Sequence, residues 1–457
     1  MKKLLFTGSF LFITIMISIQ AQTWSYLGYF GFSGGIGQYV SVAVDSVGTP
    51  YVAYSSHSDG YAVAVKKYTD TAWVTVGAKN FSGPNQAAFV RMVIAPDGVT
   101  PYVVYTDTDN GGKATVKKFN GTEWITVGNP LISAGYAAAT SLAIAPDGTP
   151  YISYEDFANN YRITVMKLAG AQWEVVGTPG FSSQSISGTS LAIAKDGTPY
   201  VAYGESLSAT IALQVKKFNG TEWESVGYTA GYDDIQYPSL AIGHDGSLYL
   251  GFEDDNNSAK ATVLHYSNSS WQVIGASVSE GRSFYVKVII APDGTPFISY
   301  TDASTSVATT KKYSNQVWSQ TGTSTASPDY YMDFTMAKDG TMFVGFDEFN
   351  HADWVSVYKS DGGLTDIILP EQSPMELEVY QQENSGTITV NYQLNRSTKV
   401  KLSVYNLQGS LLATLVNWKE ETGKNTVLWN SSQVPKGVYL VELQTPAFSR
   451  KSKICIR

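Results

Sequence analysis

Residues 142–151 read LAIAPDGTPY, and this ten-residue pattern returns along most of the chain. It recurs with small changes at 191–200, 240–249 and 289–297. Its glycine occurs seven times, at Gly48, Gly98, Gly148, Gly197, Gly246, Gly294 and Gly340. A second pattern, Trp-x-x-x-Gly, also occurs seven times, starting at Trp24, Trp73, Trp124, Trp173, Trp223, Trp271 and Trp318. Self-similarity at a fixed period indicates a repeat architecture.

Each repeat predicts four antiparallel strands, because short segments of alternating apolar and polar residues are separated by turn residues. In the third repeat the predicted strands are 141–145, 150–154, 163–168 and 172–176, with a loop over 155–161. Two other repeats place Asn-Gly, at 120–121 and 219–220, at the last turn. Asn-Gly is a strong hairpin signal. Four strands per repeat are typical of a propeller blade.

The two ends of the repeat region predict that the ring is closed. Six repeats have an aromatic residue or Leu five positions before the Trp, but Tyr358, the predicted equivalent in the last repeat, is followed at that offset by Gly363. Residues 23–28 carry a Trp-bearing fourth strand with no repeat before it. We therefore predict an all-β fold, a seven-bladed β-propeller over residues 22–366 closed by the N-terminal strand. The alternative is an open array of seven sheets with exposed apolar ends.

Composition limits the function. The chain has 457 residues, of which 43% are hydrophobic and only 15% charged. The net charge of −8 becomes −10 if Lys2 and Lys3 are removed with a leader. Such a surface repels phosphate backbones, so we predict no nucleic-acid partner. With Cys455 as its one cysteine, the chain forms no intrachain disulfide and no cysteine-based zinc site.

The first 21 residues have the three parts of a secretory signal peptide. Lys2 and Lys3 precede an apolar run over 4–19, and Ala21 is a plausible cleavage point. The alternative is an uncleaved membrane anchor. No later segment approaches the length of apolar sequence that a spanning helix needs, so we predict no transmembrane segment in the mature chain.

The C-terminal segment has a different pattern. After a linker at 367–374, strands predicted at 387–394, 399–405, 411–416, 425–429 and 437–443 suggest a small β-sandwich over residues 375–457. This segment resembles the C-terminal sorting domain, type A, of type IX secretion cargo from the Bacteroidetes. The matching stretches are VKLSVYNLQG at 400–409, VPKGVYLV at 434–441 and the basic end RKSKICIR at 450–457.

The resemblance implies recognition by the type IX secretion machinery through residues 375–457. It further implies export through the periplasm, removal of the tail, and either release or attachment to the outer cell surface. The alternative for this segment is an ordinary immunoglobulin-like accessory module. The repeats themselves resemble those of uncharacterised secreted seven-bladed β-propellers with Asp-Gly-Thr-Pro-Tyr blades, which informs the fold and not the activity.

The predicted strand order places the longer loops, between second and third strands and between blades, on one face, called here the long-loop face. Six repeats end the second strand with a carboxylate, and the first repeat has Ser56 there. These carboxylates are Asp107, Asp156, Glu205, Asp254, Asp302 and Glu348. One interpretation is a cation or polyol site around the mouth of the channel. The other, favoured by the regular one-per-repeat pattern, is that each side chain caps its own loop.

A second ring of candidate binding residues precedes the first strand. It consists of Tyr39, Phe89, Tyr237, Tyr285 and Tyr331, with Ala139 and Gly188 in the two remaining repeats. Aromatic side chains at a channel mouth can stack on sugar rings or hold a peptide. The alternative is packing between neighbouring blades. The repeated Trp residues are predicted to pack blade on blade.

Motifs for catalysis are scarce. The propeller region has no Gly-x-Ser-x-Gly elbow and no phosphate-binding loop, and His57 and His351 lie in separate long loops. We predict no catalytic residue, no cofactor and no metal site. The favoured function is an exported or cell-surface protein that binds a glycan or a protein. The alternatives are a glycan-active hydrolase or lyase that uses carboxylates of the long-loop face, and a structural surface component.

Overall fold

A computed structural model of the chain describes residues 24–83, 86–207, 210–227, 238–360, 377–381, 386–394, 398–406, 410–420, 423–444 and 449–456. The chain divides into two compact units, Met1–Thr365 and Asp366–Arg457. The predicted leader at 1–21 and linker at 367–374 lie outside the described residues. In the described ranges, no helix is long and apolar enough to cross a bilayer.

The described part of the first unit contains seven four-stranded antiparallel sheets, numbered 1 to 7 along the chain. The N-terminal strand is β1 (Trp24–Tyr26). Sheet 1 consists of β2 (Gly37–Val44), β3 (Pro50–Ser56), β4 (Ala62–Tyr68) and β5 (Trp73–Thr75). Sheet 2 consists of β6 (Ala87–Ile94), β7 (Pro101–Asp107), β8 (Lys113–Phe119) and β9 (Trp124–Thr126). Sheet 3 consists of β10 (Ala137–Ile144), β11 (Pro150–Asp156), β12 (Arg162–Ala169) and β13 (Gln172–Val175).

The remaining sheets repeat this order. Sheet 4 consists of β14 (Ile186–Ile193), β15 (Pro199–Leu207), β16 (Thr210–Phe218) and β17 (Trp223–Ser225). Sheet 5 consists of β18 (Ser239–Ile242), β19 (Leu248–Asp254), β20 (Lys260–Ser267) and β21 (Ser270–Val273). Sheet 6 consists of β22 (Ser283–Ile290), β23 (Pro296–Asp302), β24 (Val307–Ser314) and β25 (Val317–Thr323). Sheet 7 consists of β26 (Pro328–Met336), β27 (Met342–Glu348), β28 (Trp354–Ser360) and, at its edge, β1.

The four strands predicted for the third repeat are confirmed, but three of them are longer than expected. Strand β10 begins at Ala137 because a bulge between Ala138 and Ser141 absorbs the extra residues and lets pairing with β11 continue. Strand β11 runs on to Asp156. The predicted loop is therefore reduced to a short 3₁₀ turn, and similar turns follow four other second strands. These turns are His57–Asp59, Thr108–Asn110, Phe157–Asn159, Asp255–Asn257 and Phe349–His351.

Strand β1 pairs with β28, as the sequence predicted, but in a different register. Trp24 lies opposite Ser360, and Tyr26 lies opposite Tyr358. In sheet 1 the corresponding Trp73 lies opposite Tyr68. Ser360 is thus the equivalent of Tyr68. The prediction that Tyr358 holds this position was wrong by two residues. A shift of two residues keeps the side chains on the same face, so the polarity pattern could not reveal it.

The repeated tryptophans join neighbouring sheets. Six of them donate a hydrogen bond from the indole Nε1 to a backbone carbonyl of the preceding repeat, at 2.6–2.9 Å. The acceptor is always the residue three positions after the previous Trp; Trp73, for example, donates to the carbonyl of Leu27. This agrees with the prediction that the tryptophans pack blade on blade. Trp24 is buried, but its Nε1 finds no acceptor among the described residues.

The glycine of Trp-x-x-x-Gly makes room for the next tryptophan. A Cβ at Gly77 would stand 2.9 Å from the Trp124 indole, and a Cβ at Gly128 would stand 3.0 Å from the Trp173 indole. The seventh such glycine, Gly322 in sheet 6, lies against Trp24, and a Cβ there would overlap the indole. The N-terminal strand therefore packs on sheet 6 while it pairs with sheet 7.

The second unit contains two antiparallel sheets in its described part. Its strands are β29 (Glu378–Gln381), β30 (Thr387–Leu394), β31 (Thr398–Asn406), β32 (Leu411–Glu420), β33 (Gly423–Asn430), β34 (Gly437–Gln444) and β35 (Ser449–Ile456). The sheet orders are β29-β30-β33 and β32-β31-β34-β35. Both sheets contribute to one buried core, which contains Val390, Leu402, Val404, Trp429 and Val441. The five strands predicted here are confirmed.

Replacing Gly322 by Ala tests the contact between β1 and sheet 6. The added Cβ overlaps the Trp24 indole, so we expect a loss of about 1–3 kcal/mol in the free energy of unfolding, the usual cost of overpacking. Thermal unfolding measures this loss. The matched control is Gly281→Ala, because Gly281 has open space around its Cβ position and no left-handed φ. Equal melting temperatures for the two variants would contradict the expectation.

Candidate functional site

Two kinds of loop lie side by side on the long-loop face. In sheet 3, Phe157 of the second-to-third loop donates its N–H to the carbonyl of Tyr136, in the connection that enters the sheet, at 3.1 Å. In sheet 1, His57 makes the same bond to the carbonyl of Ile36 at 3.0 Å. Each pair of loops is therefore fixed by backbone hydrogen bonding, which gives the side chains on this face a rigid support.

The predicted aromatic ring occupies β-bulges of the first strands. The register shifts across Tyr39 in β2, across Phe89 in β6 and across Tyr285 in β22. All three residues have left-handed backbones, with φ of 55°, 49° and 54°. Ala139 and Gly188 occupy the same conformation in sheets 3 and 4. A left-handed backbone costs an L-residue about 1–2 kcal/mol and costs glycine little, so Tyr and Phe are unfavourable choices for this backbone.

Three of these aromatic side chains contact one another. The Tyr39 ring lies 5.2 Å from that of Phe89 and 4.6 Å from that of Tyr331, measured between centroids. All three are half-buried. Burial raises the pKa of Tyr331, and the nearby Tyr39, Asp347 and Tyr285 add to the effect. We call Tyr39, Phe89 and Tyr331 the aromatic platform. Tyr237, the fifth predicted member, lies outside the described residues.

Three predicted carboxylates hydrogen-bond within their own loops. Asp107 accepts from the backbone N–H of Asn110 at 3.2 Å and from its side-chain amide at 2.9 Å. Asp156 accepts from the N–H of Ala158 at 3.1 Å. Asp302 accepts from the N–H of Ser304 at 2.9 Å. These bonds are those of loop caps, the alternative that the sequence favoured.

The other three carboxylates are also buried and engaged. Glu205 accepts from the N–H groups of Ser183 and Gln184, at 2.6 and 3.1 Å, and so holds the connection that enters its sheet. Asp254 accepts from the hydroxyl of Thr262 at 3.4 Å, and burial raises its pKa. Glu348 pairs with Nδ1 of His351 in the same loop. Ser56, which replaces the carboxylate in sheet 1, donates to Asp59 at 2.9 Å.

A second set of acids, which the sequence analysis did not single out, precedes three of these carboxylates by one residue. Burial raises the pKa of Glu155, Glu253 and Asp347 to about 7 in each case. Glu253 forms an ion pair with Arg282 at 3.3 Å. Asp347 accepts from the backbone N–H of Tyr331 at 2.8 Å, beneath the aromatic platform. Their common position in repeats 3, 5 and 7 was the signal available in the sequence.

Sequence reasoning also missed an aromatic group on sheet 3. The ring of Phe157 lies 4.8 Å from that of Tyr136 and 4.4 Å from that of Tyr161. Phe157 and Tyr161 are 40% and 49% exposed. Large exposed aromatic side chains that touch one another are unusual on a protein surface and indicate a binding site. Phe157 begins the same short turn as His57 and Phe349, but the repeat pattern does not reveal which rings meet there.

The two loop histidines each have a partner in their own loop region. His57 lies edge-on to Tyr61, with centroids 4.7 Å apart. His351 pairs with Glu348, and its ring lies 4.5 Å from that of Phe30. Among the residues that the structure describes, no group of three or more His, Cys, Asp or Glu side chains is arranged to hold a metal ion.

Comparison with known families identifies the C-terminal unit. Residues 382–457 match the family described as the secretion system C-terminal sorting domain. The C-terminal unit is a type IX sorting domain. It directs export of the protein to the cell surface or the extracellular space, and it implies an interaction with the secretion machinery. No curated protein matches the sequence of the chain.

Solved structures resemble the chain at low sequence identity. A fungal alcohol oxidase of the AA5 family, solved with copper, is 13% identical with a TM-score of 0.50, covering 95% of this chain and all of that one. PorZ of Porphyromonas gingivalis is a surface component of the type IX secretion system. It is 16% identical to this chain, with a TM-score of 0.45. The match covers 92% of this chain and 59% of PorZ. The Aleuria aurantia lectin is 12% identical with a TM-score of 0.45, covering 72% of this chain and 93% of that one. At these identities the likeness concerns the fold alone.

The raised pKa of Glu155 predicts a pH-dependent stability. Because burial raises this pKa from 4.5 to about 7, folding favours the protonated form. Its contribution to the free energy of unfolding is complete at a pH below the unfolded-state pKa. This contribution is lost as the pH rises through the folded-state pKa. The Glu155→Gln variant lacks this loss. Its melting temperature relative to that of the wild type should therefore increase by a few degrees as the pH rises from 4.5 to above 7.

Thermal unfolding across this pH range measures the difference. Glu123→Gln is the control, because Glu123 is an exposed glutamate of a hairpin turn. A difference between Glu155→Gln and wild type that stays constant with pH would contradict the assignment.

Proposed function

We propose that the seven sheets of the first unit form a closed seven-bladed β-propeller over residues 22–366, and that its long-loop face binds a glycan. We further propose that residues 1–21 are a removable signal peptide, that 367–374 are a linker and that residues 375–457 form a β-sandwich. The mature protein would then be a surface-attached or released binding protein, delivered by the type IX machinery.

Closure is supported by three contacts between the ends of the ring. Strand β1 completes sheet 7 by pairing with β28, and Trp24 packs on Gly322 of sheet 6. Asp333 of sheet 7 accepts hydrogen bonds from the Ser41 hydroxyl and the Val42 N–H of sheet 1, at 2.9 and 3.0 Å. A closed ring buries the apolar faces that an open array would expose.

The binding function rests on one observation, the strained backbone of Tyr39, Phe89 and Tyr285. Each residue has a left-handed φ at a position where Gly188 serves in sheet 4. Residues in such conformations cluster at binding sites, where the surrounding structure holds the strained backbone in place. The rings of Tyr39 and Phe89 also contact each other.

A glycan fits this platform better than a protein does. Half-buried aromatic rings offer flat apolar surfaces for the C–H faces of a sugar. A protein ligand would call for a larger continuous apolar centre than three half-buried rings.

The carboxylate ring favours binding over hydrolysis. A glycosidase needs two carboxyl groups that face the substrate. Asp107, Asp156, Glu205 and Asp302 instead accept hydrogen bonds from backbone N–H groups of the loops. These four side chains therefore serve to shape the face, and the aromatic side chains supply the contact surface.

Glycan-array binding by the purified protein tests this function. We expect Tyr39→Ala and Phe89→Ala to weaken binding about tenfold or more, the effect of losing one stacking contact. Neither substitution should disturb the backbone, because Ala139 already adopts the same conformation in sheet 3. Tyr380→Ala, which removes an exposed tyrosine of the second unit, is the matched control and should bind like the wild type. Absence of binding to every glycan, or full binding by both platform variants, would contradict the proposal.

A further inference from the structure

The aromatic platform continues in both directions across the long-loop face. At one end, Tyr330 follows Tyr331, with ring centroids 6.4 Å apart. At the other end is the group formed by Tyr136, Phe157 and Tyr161, in which successive centroids are 4.8 and 4.4 Å apart. The platform itself spans sheets 7, 1 and 2, through centroid distances of 4.6 and 5.2 Å.

Contacts between sheets 2 and 3 join the two groups. The N–H of Ala137, next to Tyr136, donates to the carbonyl of Gly112 in the loop of sheet 2 at 2.8 Å. The Tyr136 ring packs where a side chain at Gly112 would stand. The hydroxyl of Thr140 in sheet 3 donates to the carbonyl of Phe89 in sheet 2 at 2.6 Å.

Exposure changes along the series in an ordered way. The terminal rings are open to solvent, with Tyr330 59% and Tyr161 49% exposed. The inner rings of Tyr331, Tyr39 and Tyr136 are half-buried. A ligand that touched only the centre would leave the outer rings exposed without a role. A ligand that extended from sheet 7 to sheet 3 would cover all of them.

Acidic groups accompany the series from end to end. Asp347 accepts hydrogen bonds from the backbone N–H groups of Tyr330 and Tyr331. Glu155, half-buried, lies opposite Ala138, two residues from Tyr136. Carboxylates so close to the aromatic rings disfavour a polyanion on this face.

We infer that the long-loop face binds a linear, neutral polysaccharide, laid along the series Tyr330, Tyr331, Tyr39, Phe89, Tyr136, Phe157 and Tyr161, with successive sugar units stacked on successive rings. We call this series the aromatic track. The inference rests on the proposed glycan-binding function and adds the class of ligand. A single sugar ring covers one or two members of the track, whereas a chain engages the exposed ends as well.

The test is the dependence of affinity on oligosaccharide length. The probes are laminarin, xylan and mannan with their oligosaccharides from the monosaccharide upward, titrated calorimetrically into the purified protein. For the polymer that binds, we expect affinity to rise over several sugar units before it levels off. Tyr330→Ala and Tyr161→Ala should each weaken binding of the long oligosaccharides about tenfold and leave that of the shortest binding oligosaccharide unchanged.

Conservative variants separate stacking from structural effects. Tyr330→Phe and Tyr161→Phe keep the ring and should bind long oligosaccharides like the wild type. Both tyrosines are exposed, so their alanine variants should unfold at the wild-type temperature.

Affinity that levels off at one or two sugar units, or alanine variants that bind long oligosaccharides normally, would overturn the track and leave glycan binding intact. Binding of glycans on an array but of none of the three polymers would overturn the neutral polysaccharide as the ligand class. Failure to bind any glycan would overturn the proposed function itself.

Discussion

The first unit depends on a contact between a tryptophan in one sheet and a glycine in the sheet before it. The indole of Trp124 packs where a side chain at Gly77 would stand, and its Nε1 donates to the carbonyl of Val76. The same geometry joins the successive sheets, each time with one hydrogen bond worth about 1 kcal/mol and a large buried ring. Because every sheet is held by its neighbours, stability grows only as the series is completed. The contact of Trp24 with Gly322 brings the chain's first strand into that series.

The same repetition that builds the scaffold leaves its long-loop face free to vary. Tight turns and tryptophans recur in every repeat, whereas the bulge position holds Tyr39 in one sheet, Ala139 in another and Gly188 in a third. A left-handed residue at this bulge, present in sheets 1, 2, 3, 4 and 6, is thus part of the architecture, and the side chain placed there is a local choice. Only some sheets have an aromatic residue with a strained backbone at this position. The face is consequently asymmetric on a nearly symmetric support, which is what a ligand longer than one repeat requires.

Strand positions were predictable because they depend on local chemistry. Alternating polarity and Asp-Gly or Asn-Gly turns locate each strand within a few residues of its observed position. The bulges were not predictable, since Tyr and Phe give no sign that they adopt a positive φ. The pairing of Trp24 with Ser360 was missed for a related reason: a shift of two residues preserves the polarity pattern. The recurring carboxylates were visible in the sequence, and their regular pattern of one acid per repeat favoured the interpretation that they cap loops.

By itself, the sequence determined the period of the repeats, the four strands in each and the sorting domain at the C-terminus. Those properties reside in short segments whose turn residues and motifs act locally. Only the tertiary structure decided which side chains meet, because contacts between sheets depend on backbone bulges and on loops that do not repeat. Tyr39 and Tyr331 are far apart in the chain, yet their ring centroids lie 4.6 Å apart, and Tyr136 of one sheet packs in the space left at Gly112 of another. The candidate binding surface is made of such contacts.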